Sequence, residues 1–316
     1  MTSPMAHIRG DNPVVVEANV SMLDELYPLL AEGLTNFTKE KWAGILNYPW
    51  KKENDPCGHV LIHKGRIVGF RGQINSTMTV QGIEEKICNM TSWIVAEPYR
   101  NHSLQLLSPL IKSRDCTITC LTPSKDTYLV LSQIGFRELE TEICVLLPSV
   151  RRVWHDKECR VSIAADDSTL QKVLTAHDRK IYLDHRSYNT GHIVVHDATG
   201  YCYVVYNTPV WRSRYGFRGR ITRILYVSNQ RLFLQGIDEI RLFLLRTEKT
   251  FLTEIDKRFV GAASIPFSVG RQLRVPLMYK SKRLLAGDIS NIYSELVILN
   301  PPAASRVPSR NICDFF

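Results

Sequence analysis

Between residues 93 and 107 the chain passes from an apolar run, Trp93-Ile94-Val95, through Pro98 and a polar turn into a stretch where Leu104, Leu106, Leu107, Leu110 and Ile111 recur at helical spacing. A strand that hands over to a helix in so few residues points to an α/β chain, because the helix must lay its apolar stripe back on the sheet. The same passage makes an anion site. The first turn of a helix presents unpaired N–H groups and the positive end of its dipole, and Arg100 adds a charge beside it. Such a passage also serves elsewhere as a plain connection.

The flanking pattern predicts a mixed sheet with helices on both faces. Val14–Glu17 reads as a strand, residues 21–30 as a helix capped by Asn19 or Ser21, and Lys39–Leu46 as a second helix. Residues 59–63 and 66–70 are apolar runs joined across Lys64-Gly65, a tight hairpin in which glycine supplies a positive φ, and the second run extends to about Val80. A strand over 87–95, the helix over 103–112, a strand over 116–121, a helix over 125–134 and two extended pieces within 136–147 follow. Residues 148–160 read as a linker. The pattern then restarts, with a strand near Val161, a helix over 168–176, a hairpin of 192–195 with 201–206, a strand over 222–227 and a helix over 232–246. Strands over 251–255, 273–279 and 292–299 complete it. Two like domains, 1–150 and 151–300, are expected, with a loose tail over 301–316.

Composition narrows the function. A chain of 316 residues with 44% hydrophobic content can bury one large core or two ordinary ones. Neither a secretory leader nor a run long enough to span a bilayer is visible, so a cytoplasmic protein without a membrane span is expected. The eight cysteines form no Cys-x-x-Cys pair, and nothing completes the pairs His59/His63 or His192/His196, so no metal site is expected. A net charge of +9 suggests an anionic partner, whether a cofactor phosphate, an acidic carrier protein, a nucleic acid or a membrane surface.

With these parts in place, the chain resembles the GNAT acyltransferases, whose signature is a strand ending in Val, a Pro, Arg-x-x-Gly-x-Gly/Ala and a helix, then a strand, a helix and Gly-Phe. The matching parts are Val95, Pro98, Arg100-x-x-Ser103-x-Gln105, the helix to Lys112, the strand from Thr117, the helix from Lys125 and Gly135-Phe136-Arg137. The Lys64-Gly65 hairpin matches the family's central hairpin, and the likeness covers about residues 14–147. It implies a GNAT fold, with two GNAT-like domains in tandem. It also implies acetyl-CoA or another acyl-CoA as co-substrate, and a small-molecule amine acceptor that attacks the thioester directly in a ternary complex.

On this resemblance the backbone amides of Asn101, His102, Ser103, Leu104 and Gln105 would receive the coenzyme A pyrophosphate, with Arg100 beside them. Ile94 and Val95 would pair with the pantetheine arm, and Ser124 and Tyr128 would flank the thiol. Ser103 and Gln105 replace the family's glycines, and Leu131 stands where its thiolate-protonating tyrosine lies. Tyr128, one helical turn earlier, is the candidate general acid, or alternatively a core aromatic. Glu97, Thr91, a bound water or a residue of the second half could take the amine's proton. Asn89, Thr91 and Trp93 alternate onto one face of their strand, as an acceptor pocket or as core.

In the second half Ser228-Asn229-Gln230-Arg231 replaces the phosphate-binding turn, which suggests a degenerate GNAT-like domain that shapes the acceptor site. Residues 211–223 place five arginines among three aromatics, a pattern suited to nucleic acid, to an acidic carrier protein, or to a solvated loop. Two other functions therefore stay open. One is a non-catalytic GNAT scaffold that binds acyl-CoA or RNA. The other is a transferase whose donor is acyl carrier protein or aminoacyl-tRNA.

Overall fold

Val14–Glu17 (β1) opens the first described sheet, three β-branched valines in extended chain. Asn19 then accepts the Ser21 N–H at 3.0 Å and starts a short turn into α1 (Leu23–Gly33), which buries Leu26, Leu29 and Leu30. After α2 (Lys39–Leu46), β2 (Gly58–His63) and β3 (Arg66–Val80) form the expected hairpin. Lys64 (φ 48°) and Gly65 (φ 75°) both adopt the left-handed conformation that a two-residue turn requires. β3 pairs antiparallel with β4 (Ile83–Val95), and β4 pairs in parallel with β5 (Thr117–Cys120). The computed structural model describes residues 12–33, 37–113, 115–148, 161–212 and 218–302. The chain resolves into two units. The first is Met1–Leu121 with Lys280–Arg283 and Tyr293–Leu299, and the second is Thr122–Tyr279 with Leu284–Ile292 and Asn300–Phe316.

The helix expected over 103–112 is different. Its first part is a 3-10 segment, Glu97–Leu107, and α-helical geometry begins only at α3 (Ser108–Lys112). Proline accounts for both changes. Pro98 starts helical turning early with its fixed φ, while Pro109 has no N–H to offer the Gln105 carbonyl. Ser108 N–H takes that carbonyl instead, three residues back rather than four.

In the second unit Ser124 accepts the Thr127 N–H at 3.1 Å and caps α4 (Lys125–Gln133), which ends before Gly135 at φ 86°. β6 (Arg137–Leu146) is one strand where two pieces were expected, since no Gly or Pro interrupts it. The expected linker falls almost wholly outside the described residues, as does the tail beyond 302. Then come β7 (Ser162–Ala164), α5 (Asp167–Val173) and α6 (Ala176–His185). The helix expected over 168–176 stops early because Thr175 starts a new one. β8 (Thr190–Asp197) and β9 (Gly200–Asn207) form the predicted hairpin, and β10 (Val210–Arg212) and β11 (Arg218–Arg220) a separate two-stranded ribbon. β12 (Thr222–Val227) leads to α7 (Gln230–Gln235) and α8 (Ile237–Thr247), which break at Gly236, where a Cβ would come within 2.6 Å of Val195. β13 (Thr253–Asp256), α9 (Lys257–Val260) and β14 (Ser268–Lys280) follow.

The pairing pattern of the first unit recurs in the second. β1, β2, β3 and β4 pair antiparallel in succession and β5 joins in parallel; β7, β8, β9 and β12 likewise pair antiparallel and β13 joins β12 in parallel. The second unit's core gathers Ile193, Val195, Val204, Ile224, Phe233 and Leu244. The chain near 292–299, expected as a strand, is helical at α10 (Glu295–Ile298). Ser294 Oγ accepts the Leu296 N–H at 3.2 Å, which favours a helical turn over extension. This segment belongs to the first unit, where Tyr293 packs edge-on to Trp50 and Lys41 donates to the Leu299 carbonyl at 3.3 Å.

Candidate functional site

The β4–β5 ladder has three rungs, Ile87–Thr117, Cys88–Ile118 and Asn89–Thr119, and stops there, while β4 runs on to Val95. Among the described residues no other segment takes the β4 edge beyond the last rung. On the other side β3 follows β4 throughout, with one irregularity. Thr91 pairs with Gly72 and Ile94 with Phe70, so Ser92 and Trp93 together oppose Arg71, and Ser92 sits at φ 55°. This is a β-bulge.

The bulge reverses the alternation of side chains past it. Asn89, Thr91 and Ile94 share one face, whereas Trp93 and Val95 turn to the other and pack with Tyr99 against Leu61, Val68 and Leu106. Trp93 therefore does not join Asn89 and Thr91 on one face as the period of two predicted. Thr91 is buried, and its hydroxyl lies 3.1 Å from that of Ser92.

Asn89, 1% exposed, holds the last rung with its side chain. Its amide oxygen accepts from Thr119 Oγ1 at 3.0 Å, and its amide nitrogen donates to Oε2 of Glu295, itself 2% exposed. Glu295 was not singled out from the sequence. It stands 206 residues from Asn89, in a segment whose apolar run reads as a strand, and no local signal marks it. On the opposite face Arg71 is fully buried. Its Nε donates to the Leu106 carbonyl at 3.0 Å and its Nη2 to Gln73 Oε1 at 2.8 Å and to His59 Nδ1 at 2.6 Å. This fixes the end of the 3-10 segment. Burial, with the Arg71 charge second, pushes the His59 imidazole down to about 4, so it stays the neutral acceptor that Arg71 needs.

Ile94 and Val95, half-buried, end β4. The candidate phosphate turn begins with Glu97, exposed in the first turn of the 3-10 segment. Arg100, Asn101, Leu104 and Gln105 are exposed, His102 and Ser103 half-buried, and Gln105 Nε2 lies 3.0 Å from His102 Nδ1. Within a 3-10 run amides turn back to carbonyls three residues earlier, so the amides of 101–105 are not the free first turn that a helix beginning at Ser103 would have given.

Ser124 and Tyr128 lie just before and within α4, in the second unit. Ser124 spends its side chain on capping. The Tyr128 hydroxyl donates to Glu138 Oε1 at 2.7 Å, and that bond raises the phenol above its ordinary range. Leu131 is fully buried as a core residue.

The second unit's counterpart edge is closed. The β12–β13 ladder has rungs at Thr222–Thr253 and Arg223–Glu254, and two residues further the Leu225 carbonyl accepts the Asn291 N–H at 3.0 Å. Asn291 is clamped there, donating to Asp256 Oδ2 at 2.6 Å and accepting from Arg258 Nη2 at 2.7 Å. The arginine cluster also shrinks. Arg223 is fully buried and lies 3.3 Å from Glu254, out of reach of a partner in solution, and residues 213–217 lie outside the described set.

A cleft of about 250 Å³ lies by Cys116, Thr117 and Ser281, crossed by the Arg283–Glu85 ion pair at 3.2 Å. It sits at the start of β5, the far end of the ladder from the 97–105 turn. Among the described residues no three His, Cys, Asp or Glu side chains could hold a metal, and no helix is long and apolar enough to cross a membrane.

No protein-family profile matches the chain, and no curated protein matches it by sequence. Solved structures do. A conserved protein of unknown function from Enterococcus faecalis superposes with a TM-score of 0.56 at 11% identity, over 87% of this chain and 74% of that one. A GCN5-related N-acetyltransferase from Kribbella flavida gives 0.54 at 11% identity, over 85% of this chain and 71% of that one. Another from Anabaena variabilis gives 0.52 at 12%, over 85% and 72%. At such identities the likeness speaks for the fold. The chain has the mixed α/β GNAT fold that its sequence resembles, with the pairing pattern repeated in tandem.

Proposed function

We propose that the chain is an acyltransferase that moves an acyl group from coenzyme A, as acetyl-CoA or another acyl-CoA, to an amine acceptor by direct attack in a ternary complex. The observation that carries this reading is the open edge of β4 between the Asn89–Thr119 rung and Val95, with the bulge at Ser92. Free N–H and C=O groups there can bind an extended, amide-bearing chain as an added strand, which is how the pantetheine arm would lie along Ile94 and Val95. Its pyrophosphate would then reach the turn at 100–105, where Arg100 supplies charge and the amides of Asn101, His102, Ser103, Leu104 and Gln105 are released as the 3-10 segment opens.

Only the first unit offers such an edge among the described residues. Asn291 occupies the equivalent edge in the second, which supports a second domain without a cofactor of its own that shapes the acceptor site. Glu97 remains a candidate to relay protons at the mouth of the site, and Thr91 and Asn89 to line it. Tyr128 is the candidate acid that returns a proton to the thiolate, with Ser124 beside it.

A binding scaffold without turnover is the second reading, favoured by Leu131 in the core and by Tyr128 held on Glu138. Thermal melting with acetyl-, octanoyl- and palmitoyl-CoA tests the shared step. Stabilisation by at least one is expected, and none by any of them removes the transferase reading and leaves the scaffold only as an RNA binder. For the acid, Tyr128→Phe should slow thiol release by about 100-fold with acyl-CoA affinity unchanged. An unaltered rate excludes the role.

A further inference from the structure

Among the described residues there are six cysteines, and five of them, Cys57, Cys88, Cys120, Cys144 and Cys202, are buried. Burial pushes the Cys57 thiol up and the Cys202 thiol up to about 11, so neither ionises readily at neutral pH. Cys116 differs. It is half-buried and lines the cleft of about 250 Å³ in the first unit, with Thr117, Ser281, Lys282 and Arg283 around it.

A second thiol stands beside it. The β4–β5 ladder sets Cys88 opposite Ile118, and side chains two apart along an extended chain share a face, so the chain entering β5 brings Cys116 to the face of Cys88. The Cys88 thiol, 3% exposed, donates to the Cys116 sulfur. That bond holds the Cys116 thiol below its ordinary range, with the Cys88 N–H and the Lys86 charge assisting against burial. The same bond, together with burial, raises Cys88. One sulfur is therefore easily ionised and reached from the cleft, and its neighbour is kept protonated in the interior. Such a pair suits reversible oxidation, because a sulfenic acid formed on the first thiol condenses with the second.

We propose that Cys116 and Cys88 are a redox pair, in which a hydroperoxide entering the cleft oxidises Cys116 and Cys88 closes a disulfide on it. The inference is independent of the acyl-CoA reading. The Cys116 thiolate attacks one oxygen of hydrogen peroxide, and the O–O bond breaks with its electron pair on the other oxygen, which takes up a proton and leaves as water. Cys116 is then a sulfenic acid, its sulfur oxidised by two electrons and the peroxide reduced. The Cys88 sulfur next attacks the Cys116 sulfur, the S–O bond breaks, and hydroxide departs with the Cys88 proton as a second water. Two thiols and one peroxide become one disulfide and two waters. Cys116 precedes the first rung, Ile87–Thr117, so the sulfurs can close to bonding distance without breaking the ladder. The new bond encloses residues 89–115, and with them the open edge of β4 and the whole 3-10 segment.

The full chain, reduced and then freed of reductant, is treated under native conditions with hydrogen peroxide, capped with iodoacetamide and digested without reduction for mass spectrometry. A peptide pair joined through Cys88 and Cys116 is expected, two hydrogens lighter than the reduced pair and separated again by dithiothreitol. In Cys88→Ala, dimedone should trap Cys116 as its sulfenic acid. In Cys116→Ala, Cys88 should stay reduced. If either variant fails to fold, the wild-type chain decides the matter through the joined peptides and through brief iodoacetamide labelling without peroxide, which should modify Cys116 at least about 10-fold faster than Cys88. The proposal is overturned by a Cys116 that stays reduced in peroxide sufficient to oxidise free cysteine, that joins another cysteine instead, or that reaches sulfinic acid with no bond to Cys88. Equal labelling rates for the two thiols overturn it as well.

Discussion

Three histidines, His59 and His185 buried and His192 half-buried, give the fold a definite response to acid. Burial pushes His185 down to about 4 and His192 to about 3, and burial with the Arg71 charge pushes His59 to about 4, from 6.5 in open chain. Loss of hydration keeps the rings neutral, and the neighbours of two of them suit that form: His59 accepts from Arg71, while His192 sits between Thr190 Oγ1 at 2.9 Å and the Tyr203 hydroxyl at 2.8 Å. The folded values lie below the unfolded one. Above pH 6.5 the rings are neutral in both states and their contribution is complete; as pH falls from 6.5 towards 4 the unfolded chain takes up protons that the folded chain refuses. Each histidine then removes up to about 1.4 kcal/mol per pH unit from the unit that holds it, His59 from the first and His185 and His192 from the second. The urea midpoint should stay level from pH 8 to 7 and drop steeply between 6.5 and 5. A midpoint level down to pH 5 would show that these rings are protonated in the fold.

At the scale of elements, local chemistry was legible where a turn decides the outcome. Lys64-Gly65 fixed the hairpin, and β1 and β3 end where the sequence placed them. The element order also announced the repeated architecture. Three features escaped because their causes are not periodic. Pro98 starts the turning early and Pro109 withholds the N–H that the Gln105 carbonyl would take, and an eleven-residue 3-10 segment, a length rarely seen, stands where a helix was expected. The bulge at Ser92 inserts one residue and moves Trp93 to the other face, which no alternation count can foresee. The run Ile292-Tyr293-Ser294-Glu295-Leu296-Val297-Ile298-Leu299 has the apolar, β-branched character of a strand, and a single serine cap makes part of it helical. The candidate site divides the same way. The strand-to-turn passage at 94–105 was visible, whereas Glu295 was not, because its bond to Asn89 joins residues 206 positions apart. Which of the two repeated units has the open edge was equally hidden, since it depends on where Asn291 hydrogen-bonds.

The two units of the whole molecule are not two successive stretches of chain. The first draws on residues 280–283 and 293–299 as well as on the first 121, so its stability depends on chain that follows most of the second unit. Residues 293–299 bury Tyr293, Leu296, Val297, Ile298 and Leu299 within that unit, and Ile298 sits 3.1 Å from where a Cβ on Gly44 would be. At about 1.5–3 kcal/mol for each large apolar side chain buried, the segment contributes on the order of 10 kcal/mol, comparable with the total stability of a typical domain. A fragment ending near residue 150 should therefore not fold as a domain, whatever its sequence resembles. Two truncations separate the effect of this segment from that of the carboxyl-terminal residues beyond it. A chain ending at residue 302 should melt like the full protein and keep its amide protection in β2, β3 and β4. A chain ending at Ile292 should lose that protection while β8, β9 and β12 of the second unit retain theirs, because the Leu225–Asn291 bond and the Arg258 clamp survive the cut. Hydrogen exchange read by mass spectrometry distinguishes these outcomes. Equal protection of β2, β3 and β4 in both truncations would mean that the amino-terminal stretch closes its own core and that residues 293–299 contribute to the site without holding up the fold.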